Sequence, residues 1–256
     1  MKIATWNVNS LKVRLPQLLD WLSTAAPDVV GLQETKLLDE DFPDGELAQA
    51  GYHVVFIGQK AYNGVALLSR EPLTDVSFGP AALDDPSQRR IVAATVGDLR
   101  VVNLYVVNGE SLDSDKYAYK LRWLAEVREW LAGEIARHPK LVVMGDFNIA
   151  PTDLDVHDPA GWQDQVLCSV PEREALTAIR ALGLVDAYRL IHTGPKLYSW
   201  WDYRQLGFQK NRGLRIDLVL VSEALRGQVR EAGIDRAQRK LPRPSDHAPV
   251  WVELAP

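Results

Sequence analysis

The chain has 256 residues, of which 46% are hydrophobic and 25% charged, with a net charge of −5. This composition suits a globular domain with a large core, and the net acidity argues against nonspecific coating of nucleic acid. The single cysteine, Cys168, excludes an intramolecular disulfide framework and a multi-cysteine metal site.

The opening MKIATWNVNS lacks the apolar core of a secretory leader, and no apolar run approaches a bilayer span. A cytoplasmic protein without membrane contact is therefore expected. Strand-like runs follow in chain order: KIATWNV, DVVGLQ, YHVVFIG, GVALLS, RIVAATV, RVVNLYVV, KLVVMGD, RIDLVLVS and VWVEL. Each is apolar or alternating over five to eight residues, and Gly, Asn, Asp or Pro bounds it.

Helical patterns are fewer. Ser10 is a candidate cap for a helix over 11–25, with Leu15, Leu18, Leu19 and Leu22 on one face. Leu121, Leu124, Val127, Leu131 and Ile135 mark a second helix over 115–137. A third is predicted over 172–183, ending at Gly183. Many strands with few helices predict two packed sheets flanked by helices, and the absence of any linker predicts one domain over 1–256.

KIATWNVN and KLVVMGDFN echo one another, since each is a strand starting at Lys and ending in polar side chains. Side by side in related halves, they would aim Asn7 and Asp146/Asn148 at a common edge. Other strands end the same way. Asn9, Glu34, Lys36, Tyr105 and Asn108 follow strands, Asp217 interrupts one, and Asp246 and His247 precede the last. Each taken singly is what a turn prefers. Asp217 is different, because a half-buried carboxylate needs a partner to offset its desolvation.

Asp246 and His247 cannot serve each other, since adjacent side chains in an extended segment point to opposite faces. An acid that orients His247 has to come from elsewhere, and Asp217 is the candidate. No G-x-S-x-G, H-E-x-x-H, G-x-G-x-x-G or P-loop pattern occurs, which weakens the hydrolase-elbow, zincin, dinucleotide and P-loop readings. Residues 204–243 hold ten Lys/Arg against four Asp/Glu, so this segment is +6 and the remainder −11. Such asymmetry suggests an anionic partner met by one region.

TWNVNSL, LQETK, YVVNGES, GDFNIAP, SWWDYR, NRGLRIDLVLVS and PSDHAPV, in that order, resemble the exonuclease III family of apurinic/apyrimidinic (AP) endonucleases, within the endonuclease/exonuclease/phosphatase superfamily. The resemblance runs from Lys2 to Leu254. GD-x-N and SDH mark only the superfamily, whereas Y-x-x-N-G-E-S and SWWDYR…NRGLRID point to its DNA-repair branch. The resemblance implies an α/β fold of the DNase I-like kind, a four-layered sandwich of two packed mixed β-sheets flanked by helices.

It also implies Mg²⁺ (or Mn²⁺) held by Glu34, with Asn7, Asp146, Asn148 and Asp246 as further ligands. The implied roles are Asp146 as general base, Asn148 on the attacking water or a phosphate oxygen, His247 oriented by Asp217 on the phosphate, and Tyr105 at the leaving group. Asn9, Lys36, Arg89, Arg90, Asn108 and Arg212 would contact DNA, and Trp200 would pack on an extruded abasic sugar. The implied partner is double-stranded DNA with abasic sites, nicks or 3′ ends, bound by a monomer.

Two departures bear on this. Val107 stands where many relatives have proline, which would loosen the loop that sets Tyr105 and Asn108. Residues 153–171 fill a region that varies in the family and shapes the space beside the abasic pocket. A phosphatase or phospholipase of the superfamily, a specialised 3′-phosphodiesterase and a non-catalytic DNA-end binder are the alternatives.

Overall fold

The computed structural model describes residues 1–255. The chain begins β1 (Lys2–Asn7), α1 (Leu11–Ala25) and β2 (Val29–Gln33). α2 (Asp44–Gln49), β3 (His53–Ile57), β4 (Val65–Ser69) and β5 (Thr74–Ser77) follow. β6 (Ile91–Val96), β7 (Leu99–Tyr105), α3 (Asp115–Arg137), β8 (Leu141–Asp146) and α4 (Val170–Arg180) form the middle. Next come β9 (Leu184–Asp186), α5 (Ala187–Ile191), β10 (Trp200–Trp201) and β11 (Gly213–Leu214). β12 (Asp217–Ser222), α6 (Glu223–Arg226), β13 (Val229–Ile234) and β14 (Val250–Leu254) close the chain.

Two six-stranded sheets result, ordered β13-β14-β1-β2-β4-β3 and β5-β6-β7-β8-β12-β9. Each contains one parallel pair, β1/β2 and β7/β8, joined by the crossover helices α1 and α3. The other pairings are antiparallel, so both sheets are mixed. Strand alternation assigns the layers. Ile3, Val29, Leu67, Val101, Val142, Met144 and Val219 fill the space between the sheets. Val102, Leu104, Val143 and Leu218 turn outward onto Trp123, Leu124, Val127 and Leu176 of α3 and α4. Ala4, Trp6, Val30 and Leu32 turn outward onto Leu18, Trp21 and Leu22 of α1. The order helix, sheet, sheet, helix is the predicted four-layered α/β sandwich. Burial on both faces explains why the strands read as nearly continuous apolar runs.

A polar clasp joins the sheets. Gln33 Nε2 donates to Asn103 Oδ1 at 2.6 Å and to Thr5 Oγ1 at 2.8 Å, while Asn103 Nδ2 donates to the Leu32 and Ala66 carbonyls at 2.9 Å. Buried bonds of this kind, with Gln33 Oε1 left unpartnered, favour one sheet-to-sheet arrangement.

Several local expectations need correction. Ser10 has φ 85° and no capping bond; its own N–H and that of Leu11 are tied to Glu34 and Thr35 carbonyls. The third helix is α4, which starts at Val170 because Ser169 and Glu172 form a capping box, and stops at Arg180, before Gly183 at φ 95°. On α3 the buried phase is Tyr117, Lys120, Leu124, Val127, Leu131 and Glu134, while Leu121 and Ile135 are only half-buried. The echoing strands β1 and β8 face one another across the sheet interface, one in each sheet, rather than lying side by side.

The positive segment 204–243 is not one surface. Arg215 is fully buried between Asp155 and Asp186, both at 2.7 Å, and Arg239 is also buried. Arg204 and Arg226 pair with Asp202 and Glu223. A buried guanidinium needs such partners, and the tertiary fold supplies Arg215 with two distant acids, whereas Arg204 and Arg226 are exposed and pair with near neighbours in sequence.

Candidate active site

Parallel pairing brings the C-terminal ends of β1, β2, β7 and β8 to one edge of the sandwich. Antiparallel register brings β12 and β14 there by their N-terminal ends: Asp217 pairs with Asp146, and Thr5 with Val250. Asp217 is therefore the first residue of β12, not an interruption within a strand. Gly145 makes the end of β8 possible. Its φ is 145°, and an added Cβ would stand 1.8 Å from the Leu104 carbonyl oxygen. Asn9, Glu34, Lys36 and Asn148 all occupy the left-handed region, with φ between 43° and 56°. Strained backbone of this kind concentrates where side chains must be aimed.

Asn7 lies between two acids. Its Nδ2 donates to Glu34 Oε1 at 2.8 Å and to Asp146 Oδ2 at 2.9 Å, while its Oδ1 accepts from the Asn9 N–H. Lys36 Nζ sits 2.8 Å from Glu34 Oε2 and 2.7 Å from Asn9 Oδ1. Asp246 is set apart by Asn9, since its two oxygens accept from Asn9 Nδ2 and Trp200 Nε1, each at 2.9 Å. Burial pushes the Glu34 carboxyl up, but the Lys36 ammonium and the Asn7 and Lys36 hydrogen bonds outweigh it and hold it low.

His247 and Asp217 meet as the strand-end geometry requires. Asp217 Oδ2 is 2.9 Å from His247 Nδ1, and His247 Nε2 is 3.7 Å from Asp146 Oδ2. Ser199 Oγ donates to Asp217 Oδ2 at 2.6 Å and accepts from the Asp217 N–H at 3.1 Å. Burial works against charge on the imidazole, but Asp217 and then Asp146 more than offset it, and the His247 pKa rises. Burial chiefly pushes the Asp146 carboxyl up, with Asp217 adding to it and His247 opposing. Burial, reinforced by Glu34, raises the Tyr105 phenol and keeps it neutral.

Asn148 orders its neighbours. Its N–H donates to Asp146 Oδ1 at 2.9 Å, its Nδ2 to the Val106 carbonyl at 2.9 Å, and its Oδ1 accepts from Asn108 Nδ2 at 3.1 Å. Val107, in place of proline, is buried in the outer core, and the Val106 N–H donates to the Asp146 carbonyl at 2.9 Å. The Arg90 guanidinium lies over the Tyr105 ring at 4.7 Å. Arg89 is turned toward Asp84 at 2.8 Å, and Arg212 is exposed. Trp200 points at Asp246, whereas Trp201 is fully buried.

Three positioning groups were not singled out from the sequence. Ser199 fixes Asp217, and Ser245 Oγ donates to the Asn7 carbonyl at 2.7 Å. Lys120, fully buried, donates to the Asn148 carbonyl at 2.7 Å and the Asn108 carbonyl at 3.0 Å and is paired with Glu172. Only Lys120 carried a signal: it continues the Leu124, Val127, Leu131 phase by one turn. From the loop before α4, Trp162 stands edge-on to Trp200, centroids 6.5 Å apart at 88°, and His157 edge-on to Trp162. They wall a cleft of about 410 Å³ that also meets Arg204 and Arg212.

Two carboxylates, Asp146 buried and Glu34 half-buried, thus converge on one amide beside an imidazole held by a further acid. A family model described as endonuclease/exonuclease/phosphatase matches residues 4–247. The chain belongs to this family, in its exonuclease III branch. It is 37% identical to exodeoxyribonuclease III of Haemophilus influenzae, over 99% of this chain and 100% of that one. Among solved structures it is similar to the 3′-5′ exonuclease NExo of Neisseria meningitidis, with TM-score 0.97, 50% identity and full coverage of both chains. It is also similar to an AP endonuclease from Archaeoglobus fulgidus, with TM-score 0.94, 36% identity and 99% coverage of each chain. The protein is a nuclease of the phosphodiesterase class.

Proposed function

We propose that the chain is a divalent-metal-dependent DNA-repair phosphodiesterase that breaks the P–O3′ bond at 3′-blocked ends and on the 5′ side of abasic sites. One observation carries the reading: Glu34 and Asp146 converge on the Asn7 amide while His247, held by Asp217, faces Asp146 from the other side.

The donor set fits the metal. Buried Asp146 and half-buried Glu34 share a single neutral amide donor, and Mg²⁺ takes one or two protein carboxylates and otherwise water. Glu34 and Asp146 would hold it, with Asn7 between them; Asp246 would act indirectly, by fixing Asn9 and Trp200. When bound, the cation supplies charge neutralisation for the phosphate and the departing 3′ oxygen.

The protein's own groups do the rest. Protonated His247 binds a phosphoryl oxygen, and its pairing with Asp217 fixes which nitrogen points at substrate. Asp146 takes the proton of the attacking water, whose oxygen bonds to phosphorus as the P–O3′ bond breaks. Asn108 would donate to a phosphoryl oxygen, with Asn148 holding Asn108 and Asp146 in place, and neutral Tyr105 would hydrogen-bond near the leaving oxygen. Arg90, Lys36 and Arg212 meet the flanking phosphates.

The aromatic wall favours a second reading, a specialist for 3′ ends. Trp162 and His157 crowd the side of Trp200 on which an abasic sugar would rest. Two labelled duplexes test both readings in Mg²⁺, one with an internal abasic analogue and one with a nick bearing a 3′-phosphate. Cutting of both supports the broad reading, and 3′ cleaning alone supports the specialist. Inactivity on both would overturn the assignment.

A further inference from the structure

A second cleft lies on the opposite side of β10 from Trp200. It measures about 800 Å³ and is lined by Tyr203, Phe208, Arg236, Arg239, Lys240 and Leu241, with Asp202 at its edge. None of these residues takes part in the chemistry above.

Its charge is unbalanced. The Asp202 carboxylate is spent on Arg204, through contacts of 2.7–3.1 Å. Among the described residues, Arg236, Arg239 and Lys240 have no carboxylate partner. The neighbouring Asp235 is turned away, accepting from the indoles of Trp21 and Trp251. Arg239 is 94% buried, because its exposure is 6%; its terminal nitrogens donate to the Ser245 and Trp201 carbonyls, while its Nε has no partner. Those carbonyls and the faces of Trp201, Tyr203 and Phe208 offset the Arg239 charge, so the charge left for an incoming anion is that of exposed Arg236 and Lys240.

The walls are aromatic. Arg236 lies 5.5 Å and Arg239 5.1 Å from the Phe208 centroid, and Tyr203 remains 50% exposed. Positive charge tracking a backbone, combined with aromatic faces for bases, is how unpaired nucleic acid is held. The cleft adjoins the one beside Trp200, since Asp202 borders both. Tyr203 Oη donates to the Pro244 carbonyl at 2.7 Å, and Arg14 bridges that carbonyl to the carbonyl of Asn9.

We infer that this cleft is an accessory subsite for an unpaired 5′ overhang of the complementary strand, extending past the reacting 3′ end, with phosphates on Arg236 and Lys240 and a base against Tyr203 and Phe208. The inference rests on the DNA-repair reading but fails separately from it. It predicts a preference for ends that carry a single-stranded tail over blunt ends.

Two 3′-phosphate duplexes, identical except for a short unpaired tail, test it by fluorescence anisotropy in EDTA, with Mg²⁺ turnover of the blunt duplex as control. The wild-type protein should bind the tailed duplex on the order of tenfold more tightly. Arg236→Ala/Lys240→Ala should abolish that gain and flatten its salt dependence, leaving blunt-end binding and turnover unchanged. Both side chains are exposed, so folding is not at risk. No gain from the tail, or equal loss on both duplexes, overturns the subsite while blunt-end turnover still upholds the enzyme. Displacement of neither duplex by an acidic aromatic peptide is expected; a peptide that binds wild type but not the variant, with no gain from the tail, would assign the cleft to a protein partner instead.

Discussion

Asp217 and His247 lie thirty positions apart in sequence, yet Asp217 Oδ2 stands 2.9 Å from His247 Nδ1 because β12 and β14 deliver them to the same edge. Asp217→Asn would keep the shape and remove the charge that holds the imidazolium. We expect turnover to fall by about 10²–10⁴-fold. The alkaline limb of the pH profile should also move to lower pH, since the His247 proton is no longer retained. An unchanged alkaline limb would show that the pair is merely structural.

Asp146 should be tested in the same assay by Asp146→Asn. Loss of a general base costs about 10²–10⁴-fold in turnover, with DNA affinity largely retained. A variant that keeps a tenth of wild-type activity would end that assignment.

The pH profile follows from the same pair. Burial raises the Asp146 pKa, and the base must be ionised, so activity should fall on acidification closer to neutrality than for a free carboxyl. His247 works protonated, and its raised pKa keeps it so at neutral pH. The profile should therefore be bell-shaped. Raising Mg²⁺ should shift the acid limb downward, because a cation favours the ionised carboxylate. An acid limb insensitive to both Mg²⁺ and Asp146→Asn would count against this account.

Removal of divalent metal with EDTA should abolish cleavage, and Mg²⁺ or Mn²⁺ should restore it. Glu34→Gln should raise the metal concentration needed for half-maximal rate by at least ~10–100-fold, the range found even for outer partners of metal ligands. Titration of activity against Mg²⁺ reads this directly.

Arg215 tests the fold rather than the chemistry. Arg215→Ala would leave buried Asp186 without its cation and Asp155 with Arg189 alone, at an expected cost of about 3–5 kcal/mol by urea unfolding. Burial pushes Asp155 up, but Arg215 and then Arg189 outweigh it and hold its pKa low. The stability this gives is present above the ordinary carboxylate range of about 4 and is lost as pH falls through the depressed value. Wild type should lose more stability than Arg215→Ala on acidification.

The layers of this fold were legible because they depend on local pattern. Alternation in KIATWNV and KLVVMGD places one set of side chains between the sheets and the other under the helices, whichever strand each pairs with. The polar strand ends were legible too: Asn7, Glu34 and Asp146 each sit where an apolar run stops, and His247 just before the last one begins. What a carboxylate or cation does there depends on register, which no single strand carries. Asp217 was already the candidate acid for His247, and pairing of β12 with β8 is what sets it at a strand start 2.9 Å from that imidazole. The same topology buried Arg215 in an acid pair, removing it from the basic surface that the charge count suggested. Ser199 was invisible as a site residue for this reason, and Lys120 was legible only as the next inward position of its helix. Their effect is exerted through hydrogen bonds of about 3 Å to groups far away in sequence, and only the packed sandwich sets such distances.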